Sequence, residues 1–185
     1  MSDSSYISRL RAKHAVRRCF VLLFTIATTQ LAIAESFSIH LVHPDNDAIV
    51  SSINPDVDLS DYMKIILPAE GKDEVVWASK KVEIGLSDLF GAAVTVPKPV
   101  FRHEQPIPSI TISLTPGGSR KFADFTSQNV KRRAVILLDG RGLSAPEIGA
   151  PITSGVMGFA WLRSKQEAQS IVDRINALIA QNRSM

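Results

Sequence analysis

Residues 164–179 can do little in water except form a helix that lies on another layer of structure. Ser164 supplies a capping hydroxyl, and Glu167 stands three residues later to complete a capping box. Ala168, Ile171, Val172, Ile175, Leu178 and Ile179 then recur at 3, 4, 7, 10 and 11 residues from the first. That spacing draws one apolar stripe along a helix whose other side is polar, and such a stripe must be covered.

The covering layer is legible upstream as strands. Phe37, Ile39 and Leu41 alternate with Ser38, His40 and Val42, and Ile110, Ile112 and Leu114 alternate with Ser109, Thr111 and Ser113, the period of half-buried strands. Further strands are expected at 63–67 and 74–83, with an extended stretch at 94–96. The run Ala134-Val135-Ile136-Leu137-Leu138 reads as a central strand buried on both faces, closed by a hairpin turn at Asp139-Gly140. Residues 43–61 are rich in Asp, Asn and Pro and read as loop. Residues 84–90 read as a short helix capped by Ser87, and Pro97, Pro99, Pro106 and Pro108 bracket a stiff connection. Thr115-Pro116 opens a second helix. Gly117 and Gly118 each weaken its first turn by roughly 1 kcal/mol, so it is expected to form properly from Ser119, with Phe122, Phe125 and Val130 facing the core. The order strand, helix, strand, strand, helix over 109–180 predicts an α+β fold: a mainly antiparallel sheet with two helices packed on one face. No internal repeat or low-complexity tract interrupts it.

Charge is unevenly placed. Of 21 Lys and Arg, five lie within residues 1–34 beside one of the 18 acidic residues, leaving 16 basic and 17 acidic side chains on the remainder, a formal charge of −1. The overall +3 therefore belongs to the N-terminus. There a basic stretch precedes the apolar run Cys19–Ile33, and Ala32-Ile33-Ala34 precedes Glu35, the layout of an export signal cut after Ala34. The run holds Thr28, Thr29 and Gln30 and is short for a bilayer span; an uncleaved anchor is the competing reading. Arg17-Arg18 lacks the preceding Ser or Thr of a twin-arginine signal, so general secretion is expected. Beyond Cys19 there is no cysteine, so an oxidising compartment adds no disulfide and stability rests on an apolar core. The expected divisions are a signal peptide at 1–34, an N-terminal strand and polar loop at 35–61, and an α+β domain at 62–185, with a periplasmic or extracytoplasmic location.

The residues offer little chemistry. His40, His43, Asp45 and Asp47 are metal-ligand types within eight residues, but strand positions 40 and 43 point to opposite faces. Asp56, Asp58, Ser60 and Asp61 imitate the start of a calcium loop, yet Asp61 stands where the turn needs glycine and Leu67 where the bidentate glutamate belongs. No serine lies in a nucleophile elbow, and His103 has no evident carboxylate to orient it. Neither Gly117-Gly118 nor Gly140-Arg141-Gly142 matches a phosphate-cradling loop. Lys131-Arg132-Arg133 lacks interleaved aromatics and sits at a helix end, where cations complement the dipole. The expectation is a protein without catalytic residues or cofactor that binds neither nucleic acid nor a small-molecule substrate.

In order and spacing, Leu114-Thr115-Pro116, Phe122 and Phe125, Leu138-Asp139-Gly140, Ser144-Ala145-Pro146, Pro151-Ile152-Thr153-Ser154-Gly155 and Glu167-Ala168 resemble the head part of the first periplasmic domain of SecD, a protein-export membrane subunit. About 70 residues carry the resemblance. It implies structural roles for Phe122, Phe125, Asp139, Gly140, Pro146, Pro151 and Gly155. It also implies a module that holds or guides unfolded polypeptide, with Ser144, Ala145, Pro146, Glu147 and Ile148 as the candidate contact for polypeptide or for a translocon or membrane partner. An ordinary edge loop blunted by Pro146 is the plainer reading of that segment. Two features depart from the family: Gly142 replaces a branched apolar residue, which is expected to loosen the hairpin at 140–143, and Met157-Gly158-Phe159-Ala160-Trp161 replaces a more polar approach to the last helix. The family's membrane-spanning helices have no counterpart in these residues, so grip without a proton-driven stroke is expected. Two other readings stand beside this one: a periplasmic adaptor or inhibitor unrelated to export, and a metal-dependent hydrolase using His40 and His43.

Overall fold

Five consecutive apolar residues, Ala134–Leu138, form strand β7, and all five are buried. A strand without a wet face needs neighbours on both edges and cover on both faces, and the rest of the fold supplies them. The computed structural model describes residues 36–51, 57–68, 72–96, 107–160 and 164–185. The proline-rich connection up to Pro106, with His103, lies outside them, as do Asp56, Trp161 and the expected leader at 1–34.

The elements are β1 (Phe37–Leu41), α1 (Asn46–Val50), β2 (Tyr62–Leu67), β3 (Glu74–Ser79), β4 (Ile84–Gly85), β5 (Leu89–Thr95), β6 (Ser109–Leu114), α2 (Pro116–Gln128), β7, β8 (Arg141–Ser144), β9 (Val156–Ala160) and α3 (Lys165–Arg183). They build three antiparallel sheets. The first has the order β4-β1-β7-β8, with β1 and β7 in register from Phe37↔Leu138 to Leu41↔Ala134. The second is the hairpin β2-β3, and the third is β5-β6-β9.

Alternation along β1 and β7 sends their side chains to two separate cores. Phe37, Ile39, Ala134, Ile136 and Leu138 face the larger one, which also holds Ile110 and Ile112 of β6, Phe122 and Phe125 of α2, and Val172, Ile175 and Leu178 of α3. The opposite residues, Val135 and Leu137, join Val42, Ala145 and the inward face of the β2-β3 hairpin: Ile65, Leu67, Val76 and Ala78. The fold is α+β, as the sequence predicts, and both long helices share the larger core on one face of the first sheet, with α3 lying mainly along β5 of the third. The reverse face of the first sheet is covered by a hairpin.

Local departures have local causes. The polar stretch after β1 contains α1, whose buried Asn46 accepts from the Trp77 N–H (2.8 Å) and so ties the turn to β3. The strand expected at 74–83 stops at Ser79. Residues 84–90 are two strand ends around a 3-10 turn, Leu86–Asp88, and the capping carboxylate is Asp88, which accepts from Gly85 N–H at 2.9 Å, in place of Ser87. The extended stretch that follows is β5, beginning at Leu89.

Helix α2 starts at Pro116 and includes both glycines, with Thr115 Oγ1 accepting from Gly118 N–H at 3.1 Å. Space explains Gly118: a Cβ there would lie 2.2 Å from the Asp88 carbonyl oxygen. Val130 is exposed and takes no place in the core. The β7-β8 turn has positive φ at Asp139 (50°) and Gly140 (73°), the signature of a two-residue type I′ hairpin. The ladder does step out of register in the stretch expected to be loose, from Leu137↔Gly142 to Ile136↔Ser144, yet Gly142 itself is not a slack point. It is buried, and a Cβ would stand 2.6 Å from Leu67 Cδ2 and 2.7 Å from Ile65 Cγ2, so the missing side chain is what lets β2 cross β8. Ser164 caps α3 by accepting from Glu167 N–H at 3.1 Å, as its sequence dictates.

Candidate functional site

The segment Ser144–Ile148 prolongs the β8 edge of the first sheet. Ser144 is paired with Ile136. Ala134 N–H then donates to the Pro146 carbonyl (3.0 Å), Ile148 N–H to the Arg132 carbonyl (2.8 Å), and Lys131 N–H to the Ile148 carbonyl (2.8 Å). The Arg133 guanidinium adds a bond from Nε to the Ala145 carbonyl at 2.9 Å. The inward backbone of this segment is thus committed to the protein's own sheet.

Its side chains divide. Ala145 is buried in the smaller core, whereas Pro146, Glu147 and Ile148 reach the rim of a cavity of about 210 Å³ on the other side. Ile39, Ala134 and Ile136 form its floor, Phe122, Phe125 and Thr126 of α2 one wall, and Met157, Gly158 and Phe159 of β9 another. The loop Pro146–Ile152 roofs it. Thr126, fully buried, holds that roof: its hydroxyl donates to the Phe122 carbonyl (2.8 Å) and accepts from Ile152 N–H (2.9 Å). Phe122 and Phe125 stack with ring centroids 6.2 Å apart, which stiffens the wall. The cavity is below the roughly 300–1,000 Å³ of small-molecule sites and suits one large apolar side chain.

Six of the residues singled out in the sequence, Phe122, Phe125, Pro146, Glu147, Ile148 and Pro151, therefore meet at one cavity. Others serve elsewhere. Asp139 accepts from Arg174 Nε at 2.8 Å and from Ser36 N–H at 3.2 Å, binding α3 to the start of β1; the hydrogen bond from Arg174 holds its carboxyl below the usual range. Gly155 has φ 70° and faces Ser119 Oγ, which a Cβ would approach to 2.6 Å. Sequence reasoning missed Ile39, Ile136, Met157 and Phe159 as cavity residues. For Met157 and Phe159 the signal was present as an apolar alternation around Gly158.

The histidine cluster is taken apart by the fold. His40 is buried, with Nδ1 within hydrogen-bond distance of the Ser79 (2.8 Å) and Lys81 (3.0 Å) carbonyls and Nε2 2.8 Å from Ser38 Oγ, so both ring nitrogens are engaged. His43 Nδ1 instead accepts from Asp45 N–H at 3.0 Å, and its ring meets Tyr62 edge-on. Asp58 caps its own turn by accepting from Ser60 N–H at 2.8 Å, and that bond lowers its pKa.

The family model for the SecDF P1 head subdomain matches residues 66–178, most of the region just described. The chain belongs to this family. Among its relatives, the protein translocase subunit SecD of Acidaminococcus fermentans is 39% identical over 64 residues, 35% of this chain and 15% of that protein. The SecDF subunit of Thermus thermophilus is 36% identical over 92 residues, 50% of this chain and 12% of its own length. The chain thus spans a small part of the relatives it matches. A SecDF crystal structure in a super-membrane-facing form superposes with a TM-score of 0.54 at 24% identity, over 77% of this chain and 19% of that one. A structure of SecDF, described as a membrane component that enhances protein export, gives 0.52 at 23% over 77% and 62%. Both likenesses establish the fold. In this SecDF head subdomain, the roof and α2 wall of the cavity, 122–126 and 146–152, lie within the matched region, while Ile39 on its floor precedes it. Among the described residues, no helix is long and apolar enough to cross a membrane.

Proposed function

We propose that this chain is an exported, non-enzymatic SecD-head-like module that grips unfolded polypeptide on the extracytoplasmic side of the translocon and so assists protein export. The observation that carries the reading is the cavity of about 210 Å³ between α2, β9 and the Pro146–Ile152 loop: mostly apolar walls, side-chain size, and a wall that includes strand β9. Such a site rewards burial of an apolar side chain without reading its identity. One fully buried aliphatic or aromatic side chain is worth about 1.5–3 kcal/mol. A Kd of 1 mM requires about 4 kcal/mol, so one or two anchors give weak, quickly reversed binding. A module that must release a moving chain needs that weakness. The membrane or translocon partner of the relatives comes to this chain as part of the same proposal, as does the extracytoplasmic location, supported by the leader-like composition of residues 1–34.

Titration of fluorescent, permanently unfolded peptides with alternating apolar residues tests the reading. Saturable binding is expected, weakened about tenfold or more by Ala134→Leu, which fills part of the hollow and, as cavity filling commonly does, leaves the melting temperature equal or higher. A flat titration against several unfolded peptides would overturn the proposal.

A further inference from the structure

The third sheet, β5-β6-β9, has two edges, and the fold treats them differently. On β5, side chains of α3 take both outward groups of Ala92 and the outward carbonyl of Phe90. The Asn176 carboxamide accepts from Ala92 N–H at 2.9 Å and donates to the Ala92 carbonyl at 2.9 Å, satisfying one residue as a neighbouring strand would. Arg183 Nη2 donates to the Phe90 carbonyl at 2.9 Å, and its guanidinium lies 5.2 Å from the Phe90 ring centroid. Asn176 is exposed, so no core packing requires an amide there.

The other edge, β9, is different. Leu114 N–H donates to the Gly155 carbonyl, and register pairs Ile112 with Met157 and Ile110 with Phe159. In an antiparallel ladder the inward bonds therefore fall on 155, 157 and 159, and the peptide groups of 156 and 158 point outward. The Ser154 hydroxyl takes the first of these, donating to the Val156 carbonyl at 3.1 Å. Gly158 is exposed, and its outward N–H and C=O have no hydrogen bond among the described residues. That open rung borders the cavity, between the buried side chains of Met157 and Phe159.

We infer that an extended polypeptide adds to β9 as a fourth strand, hydrogen-bonded at Gly158 with one apolar side chain in the cavity, and that Asn176 closes β5 so that pairing is confined to β9. The inference rests on the polypeptide-binding reading and gives it a mode. An unpaired peptide group beside a side-chain-sized hollow matches an extended chain, which offers backbone bonds and a side chain at the same residue spacing. Gly158 also leaves room for the approaching backbone.

An N-methyl scan along a bound model peptide tests it with the full chain intact. Methylation at alternate residues is expected to weaken binding about tenfold while the intervening positions tolerate it, because only every second N–H of an added strand faces its partner. Gly158→Pro, which removes the outward donor and spares the β6 ladder, is expected to reproduce the loss with unchanged circular dichroism. Asn176→Leu is expected to free the second edge, raising the stoichiometry from one peptide per chain to two or pairing two copies through β5. Binding that is indifferent to N-methylation and to Gly158→Pro overturns strand addition while leaving polypeptide capture intact. Binding of no peptide at all overturns capture, and strand addition with it. An Asn176→Leu protein that stays monomeric with one peptide bound overturns the closure of β5.

Discussion

Thr126 and Gly118 show how much a single small side chain decides here. Thr126→Val keeps the shape but leaves the half-buried Ile152 N–H without its acceptor, a loss of about 1 kcal/mol, the low end of the range for an unsatisfied donor, measurable by denaturant unfolding. For Gly118→Ala, helix propensity alone anticipates a gain of roughly 1 kcal/mol. The Asp88 carbonyl at 2.2 Å from the new Cβ is backbone that cannot rotate away, so a loss of about 1–3 kcal/mol is expected. His40 adds a pH dependence. Its burial pushes the imidazole pKa below the ordinary 6.5, against the opposing pull of the Ser79 and Lys81 carbonyls and Glu83. The unfolded chain then takes up the proton before the native one does, so stability is full above 6.5 and falls as pH drops below it, levelling once the native ring is protonated. Melting temperatures between pH 7.5 and 5.5 should show that fall in the wild type and lose it in His40→Gln. At this scale the sequence was legible only where a residue acts on its immediate neighbours. Ser164 and Thr115 could be read as caps, whereas Gly118 could not, because the atom that demands it lies 30 residues upstream.

Elements were most legible where one periodicity was long or one run unbroken. Helix α3 and strand β7 follow from the sequence almost residue by residue, since capping, an apolar stripe and a continuous apolar run are local properties. The division of the strands among three sheets was not legible, because register and pairing are set by contacts between distant segments. Residues 84–90 differ from the expected helix for the same reason: the pairing of β4 with β1 and of β5 with β6 decides them, and neither pairing is local. Gly142 illustrates the sign of such errors. Its apparent weakness in β8 is the space that β2 occupies. Gly142→Val, which restores a branched apolar residue, is expected to lift the β2-β3 hairpin, expose Ile65 and Leu67, and raise hydrogen exchange in 62–79 while β7 stays protected.

Across the whole molecule, the expected contact segment divides between two surroundings. Pro146, Glu147 and Ile148 reach the cavity rim, while Ser144 and Ala145 are held by the sheet and the smaller core. The order of motifs along the chain pointed to the family. The cavity itself draws on α2, β1, β7, β9 and a loop, and no linear pattern announces five segments converging on one hollow. The central claim is that this hollow holds an apolar side chain of an unfolded polypeptide. Methyl NMR of the isoleucine- and methionine-labelled chain tests it most directly. Adding an unfolded peptide should shift Ile39, Ile136, Ile148, Ile152 and Met157, and leave Ile65 and Ile66 of the hairpin unmoved; saturable shifts confined to the hairpin, or no shifts at all, would contradict it.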